Sequence, residues 1–294
     1  MVGLLPVAES QGVNIYCPQD GLYSFFNSPY PAHRLTSGID IYPETSYAPS
    51  PISGRVVKIK RVRAPRGRGF KDDGFDVATL IESSENPLKI VKILHVNPTV
   101  AEGEIIEVGQ SLGTLIRSGY YGWATSPHIH VEVREPDDPL RARGGHLISR
   151  TVMLRPQNPL VEIRGNVVEV RPEYAILELD EGVQYGLIAD VGGKPAVLDG
   201  GIPYYGWFGA HYNGDSPRGL TISLAGKVIG VINKVGAEWC QAEVIDFKVY
   251  VDGHHIRGLS LRLAPTGGAQ LKVVPFHQGD LKLVVGSCIL VEIV

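Results

Sequence analysis

Ser126-Pro127-His128-Ile129-His130-Val131-Glu132-Val133 is the stretch that decides how the rest of the chain reads. Its tail alternates, with His128, His130 and Glu132 on one side and Ile129, Val131 and Val133 on the other. A two-residue period is the mark of a β-strand with one polar and one apolar face. Imidazoles two residues apart stand roughly 7 Å from each other along a strand. That is close enough to serve one metal centre, as two ligands or as one ligand and one proton-transfer group. Alone, the pattern fits equally well two polar residues on an exposed strand face.

The surrounding composition favours strands. Gly 35 and Pro 21 in 294 residues, with little helical periodicity, imply many short strands joined by turns, an all-β chain long enough for two domains. A net charge of −3 gives no global attraction to nucleic acid or membrane. Cys17, Cys240 and Cys288 are odd in number and widely spaced, so neither a disulfide framework nor a Cys-rich zinc module is readable. Any metal must then be held by histidines and carboxylates. No apolar run approaches the roughly 20 residues of a membrane-spanning helix. Residues 1–8 are apolar but lack a basic n-region, so the expected compartment is the cytoplasm unless a leader has been removed.

Upstream of the His-x-His stretch, residues 12–16 read as a strand and 23–30 as an aromatic loop. Asp40 sits between Ile39 and Ile41, facing away from both. Residues 55–62, 77–81 and 88–94 are further strands, and His95 ends the last of them. Eight cations and no acid occupy residues 55–71. They read as a solvated hairpin tip, or else as a basic wall for an acidic substrate or polyanion. Only one aromatic, Phe70, stands among these cations, which argues against base stacking. Gly103, Gly109 and Gly113 mark sharp turns of a compact β-roll. Polar residues 134–145 place a domain boundary close behind them, giving domains 1–148 and 149–294. The second is β-rich, with strands expected at 161–170, 175–179, 220–224, 228–232, 242–251, 259–263, 270–274 and 281–294. Residues 218–224 and 257–263 look alike, as a faint repeat or by chance. The aromatic stretch 200–214 reads as an ordinary packed loop or as a sugar or peptide platform.

His33, Asp40, His95, His128 and His130 occur in an order that resembles the lysostaphin/LytM-type zinc endopeptidases, over about residues 20–135. Ser37-Gly38-Ile39-Asp40-Ile41 matches the Asp half of that family's first metal motif. Val91-Lys92-Ile93-Leu94-His95 matches its strand with a lone His. Gly109-Gln110-Ser111-Leu112-Gly113 is similar to its Gly-Gln turn, and residues 126–133 match its last motif closely. The resemblance implies a compact antiparallel β-roll or barrel-sandwich peptidase domain. It implies Zn2+ on His33, Asp40 and His130, with His95 and His128 as the non-ligand catalytic pair. A metal-activated water would cut a peptide, with cell-wall-like peptides as one substrate class. One departure stands out. The family's first ligand His lies four residues before the Asp, where this chain has Thr36, and a neutral hydroxyl is a poor zinc ligand. Either His33 reaches the metal through a loop three residues longer, or a ligand is lost and the domain is a catalytically silent binding or assembly module. Residues 149–294 would then recruit substrate, cover the groove, or join copies of the chain as a homo-oligomer.

Overall fold

The computed structural model describes residues 3–179, 183–214, 217 and 220–294. Strands dominate both of its compact units, and the one helix among the described residues is the single turn Pro31–Arg34. No helix there is long and apolar enough to cross a membrane. The first unit comprises residues 1–23 and 30–152, the second residues 24–29 and 153–294.

In the first unit a seven-stranded sheet runs Ile105–Ile106, Gly54–Arg63, Phe75–Ser83, Ile90–Leu94, Ile129–Arg134, Ile39–Tyr42, Leu22–Ser24. Two three-stranded sheets accompany it, one of them formed by Tyr47–Pro49, Ser111–Leu115 and Val96–Pro98. Register across the large sheet explains its two faces. Val56, Ile81, Val91 and Val133 are successive partners, each wholly buried, and the next row on that face runs Ile59, Thr79, Ile93, Val131, Ile39. These rows are the apolar core, because directly opposed residues of an antiparallel sheet share a face. The other face carries the row Lys60, Ala78, Leu94, His130, Asp40 and beside it Lys58, Leu80, Lys92, Glu132. The polar side of the His-x-His strand is therefore not a solvated one, and every residue of Ile129–Arg134 is buried. The eight cations of residues 55–71 are exposed, and among the described residues none forms a salt bridge.

Burying Lys92 and Arg134 on that face requires a counter-charge. Glu132 supplies it: Lys92 Nζ lies 2.5 Å from Glu132 Oε1, and Arg134 donates to Glu132 Oε2 at 2.6 Å. Burial alone would raise the Glu132 pKa, but His130 and Lys92 hold it down at about 2. Burial lowers the Lys92 pKa, and Glu132 partly offsets that.

In the second unit Ile188–Val191, Thr221–Leu224, Lys227–Val235, Trp239–Val244, Trp207–His211 and Lys194–Ile202 close into a six-stranded barrel, the last pairing back onto the first. Lys194–Ile202 is long enough to serve two neighbours. Residues 197–199 pair with Trp207–His211, and residues 200–202 pair with Gly258–Leu261. Gly258–Leu261 leads on to Gln270–Val274, Ala175–Leu179, Ile163–Val170, Cys288–Ile293, Val249–Val251 and His254–Ile256. In the aromatic stretch 200–214, residues 200–202 and 207–211 are strand, Trp207, Phe208 and Tyr212 are core residues, and Tyr204 and Tyr205 are half-buried in the turn between them. The likeness of residues 218–224 to 257–263 involves Arg218 and Gly219, which lie outside the described residues.

Residues 24–29, read from sequence as part of an N-terminal loop, belong to this second unit. The Ser24 hydroxyl and the Phe25 N–H both donate to Asp199, a wholly buried carboxylate that also faces His211 Nε2 at 3.2 Å. Asn27 donates to Ser260 Oγ at 2.8 Å. Phe26 stacks on His211 and meets Trp207 and Trp239 with ring centroids 6.2 and 5.7 Å away. Its ring occupies the space of a missing Cβ at Gly209, where an added methyl would lie 1.8 Å from Phe26 Cδ2.

Two outcomes follow for stability. Phe26→Ala empties that seat and should cost about 3–5 kcal/mol in urea unfolding followed by Trp207 and Trp239 fluorescence; a loss under ~1 kcal/mol would mean the segment is not part of that core. Lys92→Met takes one of its two buried cations from Glu132, leaving Arg134 as the other, and should cost about 3–5 kcal/mol. Arg164→Met, which removes an exposed pair with Glu162, should leave the transition where it is.

Candidate metal centre

Asp40 and His130 are direct cross-strand partners, and the pleat places both side chains on the polar face. His130 Nδ1 lies 2.8 Å from Asp40 Oδ1. His33 arrives by a different route. Pro31, which pre-sets φ for a first helical turn, opens the helix Pro31–Arg34, and Leu35 N–H closes it on Pro31 O at 2.9 Å. Thr36 follows in a left-handed conformation, φ 59°, and Ser37 N–H returns to Ala32 O at 2.8 Å. The three residues by which His33 is too distant in sequence are coiled up in that turn, and His33 Nε2 lies 3.3 Å from Asp40 Oδ1. Thr36 Oγ1 is buried with no hydrogen-bond partner among the described residues. Gly38 leaves room for His130, whose Cε1 would be 2.8 Å from a Cβ there.

Donor atoms of His33, Asp40 and His130 all lie within 4.8 Å of one another, and all three residues are buried. Tetrahedral zinc at bond lengths of about 2.0–2.1 Å separates its ligand atoms by about 3.3 Å. The His33–Asp40 distance already has that value, and the His130–Asp40 pair needs to open by about half an ångström, less than a side-chain adjustment. Two imidazoles and one carboxylate are the donor types zinc takes, so the residues fit the ion that the resemblance implies. Burial opposes ionisation of Asp40, but His33, His128 and His130 hold its pKa well below the usual carboxylate range. Behind His130, Glu132 Oε1 accepts from Nε2 at 3.1 Å. A carboxylate can only accept, so Nε2 carries the hydrogen and Nδ1 is the nitrogen turned to the site. Burial disfavours a charged His130, yet its bonds to Asp40 and Glu132 raise its pKa to about 9 when no ion competes for Nδ1.

His128 and His95 complete the polar face. His128 Nδ1 donates to Ser126 O at 2.9 Å, and its Nε2 lies 3.7 Å from Asp40 Oδ2. Burial, partly offset by Asp40, pushes its pKa down to about 4. His95 follows Leu94, the register partner of His130, so strict alternation would send it to the core face. Its φ of 69° breaks the strand and swings the ring back, to 4.9 Å from His128 and 6.1 Å from His130. Tyr121 stands edge-on to His95 at 5.3 Å and 5.0 Å from His128. Arg117 fixes the loop that carries Tyr121 by donating to the carbonyls of Trp123 and Thr125, with its guanidinium over the Phe70 ring at 4.4 Å.

All five residues named from sequence therefore meet on one sheet face. Three participants had no assigned role there. Glu132 was legible only as a member of the polar face. Asp76 is one acid at the head of the apolar run Phe75-Asp76-Val77-Ala78, a faint signal. Ser118 gave none. His254 and His255 sit on the strand His254–Ile256 and are exposed, outside this constellation.

Residues 14–150 match the model of the DUF8155 N-terminal domain and residues 161–294 that of the DUF8155 C-terminal domain, both described as domains of unknown function. No curated protein matches. Among solved structures, a mutant of the catalytic domain of the prophage-encoded M23 protein EnpA from Enterococcus faecalis is 21% identical over 37% of this chain and 72% of its own. Its TM-score is 0.24, too low to carry an argument. The two domain models between them span most of the chain, which belongs to the DUF8155 family.

Proposed function

We propose that the first unit is a zinc-dependent endopeptidase, similar in its site to the lysostaphin/LytM-type enzymes. The observation that carries this reading is the convergence of His33 Nε2, Asp40 Oδ1 and His130 Nδ1, with two further histidines on the same face. A bound zinc ion would supply a Lewis acid that polarises the scissile carbonyl and acidifies a water. The chain's own residues do the rest. His33, Asp40 and His130 hold the ion, and Glu132 fixes the His130 ring so that Nδ1 is the coordinating atom. His95 and His128 handle protons at their Nε2 atoms. Tyr121 and Tyr42, whose rings lie 5.0 and 5.2 Å from His128, flank it and keep bulk water from its ring. The substrate class is a peptide, with glycine-containing cell-wall-like peptides as the first to try.

The rival reading, a binding module that has lost its metal, turns on His33. Elemental analysis should find one zinc per chain. His33→Ala, Asp40→Ala and His130→Ala should each lose most of it, whereas Thr36→Gly should keep it. Chelation should abolish cleavage of glycine-rich peptides, and added zinc should restore it. No zinc after refolding with excess metal would sink the proposal. Stoichiometric zinc without cleavage of any peptide tested would favour the non-catalytic module.

Removing the site's close approach gives a second test. Gly38→Val should press on the His130 ring and lower zinc affinity at least tenfold by competition with a chromogenic chelator, with the apo-protein still folded by circular dichroism. Unchanged affinity would mean that Gly38 does not set the position of His130.

A further inference from the structure

Two histidines stand beside the three metal-binding candidates, and their surroundings differ. Asp76, on Phe75–Ser83, is 2% exposed and accepts four hydrogen bonds. Oδ1 takes the N–H of Val77 at 2.8 Å and of His95 at 3.0 Å. Oδ2 takes the Ser118 hydroxyl at 2.6 Å and faces His95 Nδ1 at 2.6 Å. Four donors around one carboxylate keep it ionised against the cost of burial. It can then only accept, so the His95 ring carries a hydrogen on Nδ1, which in the neutral imidazole leaves the lone pair on Nε2. The left-handed backbone at His95 aims that ring towards His128 and His130. His128 also has its Nδ1 tied, but to the carbonyl of Ser126, a neutral acceptor. The nearest carboxylate to His128, Asp40, is already shared by His33 and His130.

Resting on the peptidase reading, we propose that the two histidines are unequal: Asp76, oriented by Ser118, is a positioning residue that makes His95 the proton acceptor of the reaction. As a water attacks the scissile carbonyl, its O–H bond breaks and the proton goes to His95 Nε2. The freed pair forms the C–O bond, and the carbonyl π pair moves onto oxygen. When the C–N bond then breaks, the same proton returns from His95 to the leaving nitrogen. The imidazolium formed in between lies directly against the Asp76 carboxylate, which compensates its charge without accepting the proton. His128 has no carboxylate of its own at Nδ1 and orients the water by accepting a hydrogen bond. The groups facing the His95 ring are Asp76, Tyr121, His128 and His130.

The test uses the zinc-loaded full chain and two readouts. In 15N NMR of histidine side chains, with His95→Gln for assignment, the His95 ring should be the Nδ1–H tautomer. Asp76→Asn, whose amide donates a hydrogen to Nδ1, should shift it towards Nε2–H. In peptide cleavage, Asp76→Asn should lower kcat at least ~100-fold with KM changed less than threefold, since a wrong tautomer removes the base and leaves binding intact. Adding His95→Gln to Asp76→Asn should cost little more. Ser118→Ala, the milder change, should show a mixed tautomer and an intermediate kcat should Asp76→Asn fold poorly. A wild-type His95 in the Nε2–H form, or an Asp76→Asn enzyme within threefold of wild type, overturns the proposal. If wild type cleaves no peptide but shows the Nδ1–H tautomer that Asp76→Asn reverses, the peptidase reading fails while the positioning by Asp76 stands.

Discussion

Charge cannot be taken out of water on one face of a sheet unless it is paired there, and the first unit is built around that constraint. Alternation along Ile129–Arg134 sends His130, Glu132 and Arg134 to the same buried face. Each then needs a partner of opposite character, and the neighbouring strands supply them in register: Asp40 opposite His130 and Lys92 opposite Glu132. The result is a row of alternating charge with two ends. At one end Arg134 is tied down by Glu132 and by backbone carbonyls, a purely structural terminus. At the other, donor atoms of His33, Asp40 and His130 lie within 4.8 Å of one another. A divalent ion is what that end of the row is suited to receive.

Carboxylates recur behind histidines at this face, and they do two different things. Glu132 sits behind His130, a metal-binding candidate, and in the proposed site would select which ring nitrogen faces the ion. Asp76 sits behind His95 and, in the proposed reaction, selects which nitrogen is free to take a proton. In both cases an ionised acceptor fixes a tautomer, and burial makes the choice firm because an unpaired ring N–H would be costly there. His128, whose Nδ1 is held by a neutral carbonyl, shares the Nδ1–H arrangement of His95 without a carboxylate at that nitrogen.

Much of this was legible in the sequence because it obeys the two-residue period. His130, Asp40 and the apolar rows of the core follow from alternation, and the all-β class follows from short runs and frequent turn residues. What was illegible breaks the period or acts over long separations. His33 reaches Asp40 only because a helical turn and a left-handed Thr36 take up three residues, a geometry that no spacing rule encodes. His95 lies on the site face through a left-handed backbone that alternation would deny it. Asp76 and Ser118 meet across 42 residues, with no pattern linking them. The stretch 200–214 reads as an ordinary packed loop or a platform, and its tyrosines, tryptophan and glycines give no sign of the strand segments it contains. There the glycines instead make room for Phe26 and Phe208 to pack against strands.

The assignment of residues 24–29 to the second unit also bears on how the chain is made. Ser24 waits for Asp199, its partner 175 residues further on. At roughly 5–20 residues per second of synthesis, that is a delay of roughly 9–35 s. For that interval Phe25 and Phe26 have no barrel to enter, although nearly all of the first unit has already left the ribosome. A growing chain thus carries an unpacked aromatic pair until the barrel strands bearing Trp207 and Trp239 are made. What covers that pair in the interval leaves no trace in the finished molecule.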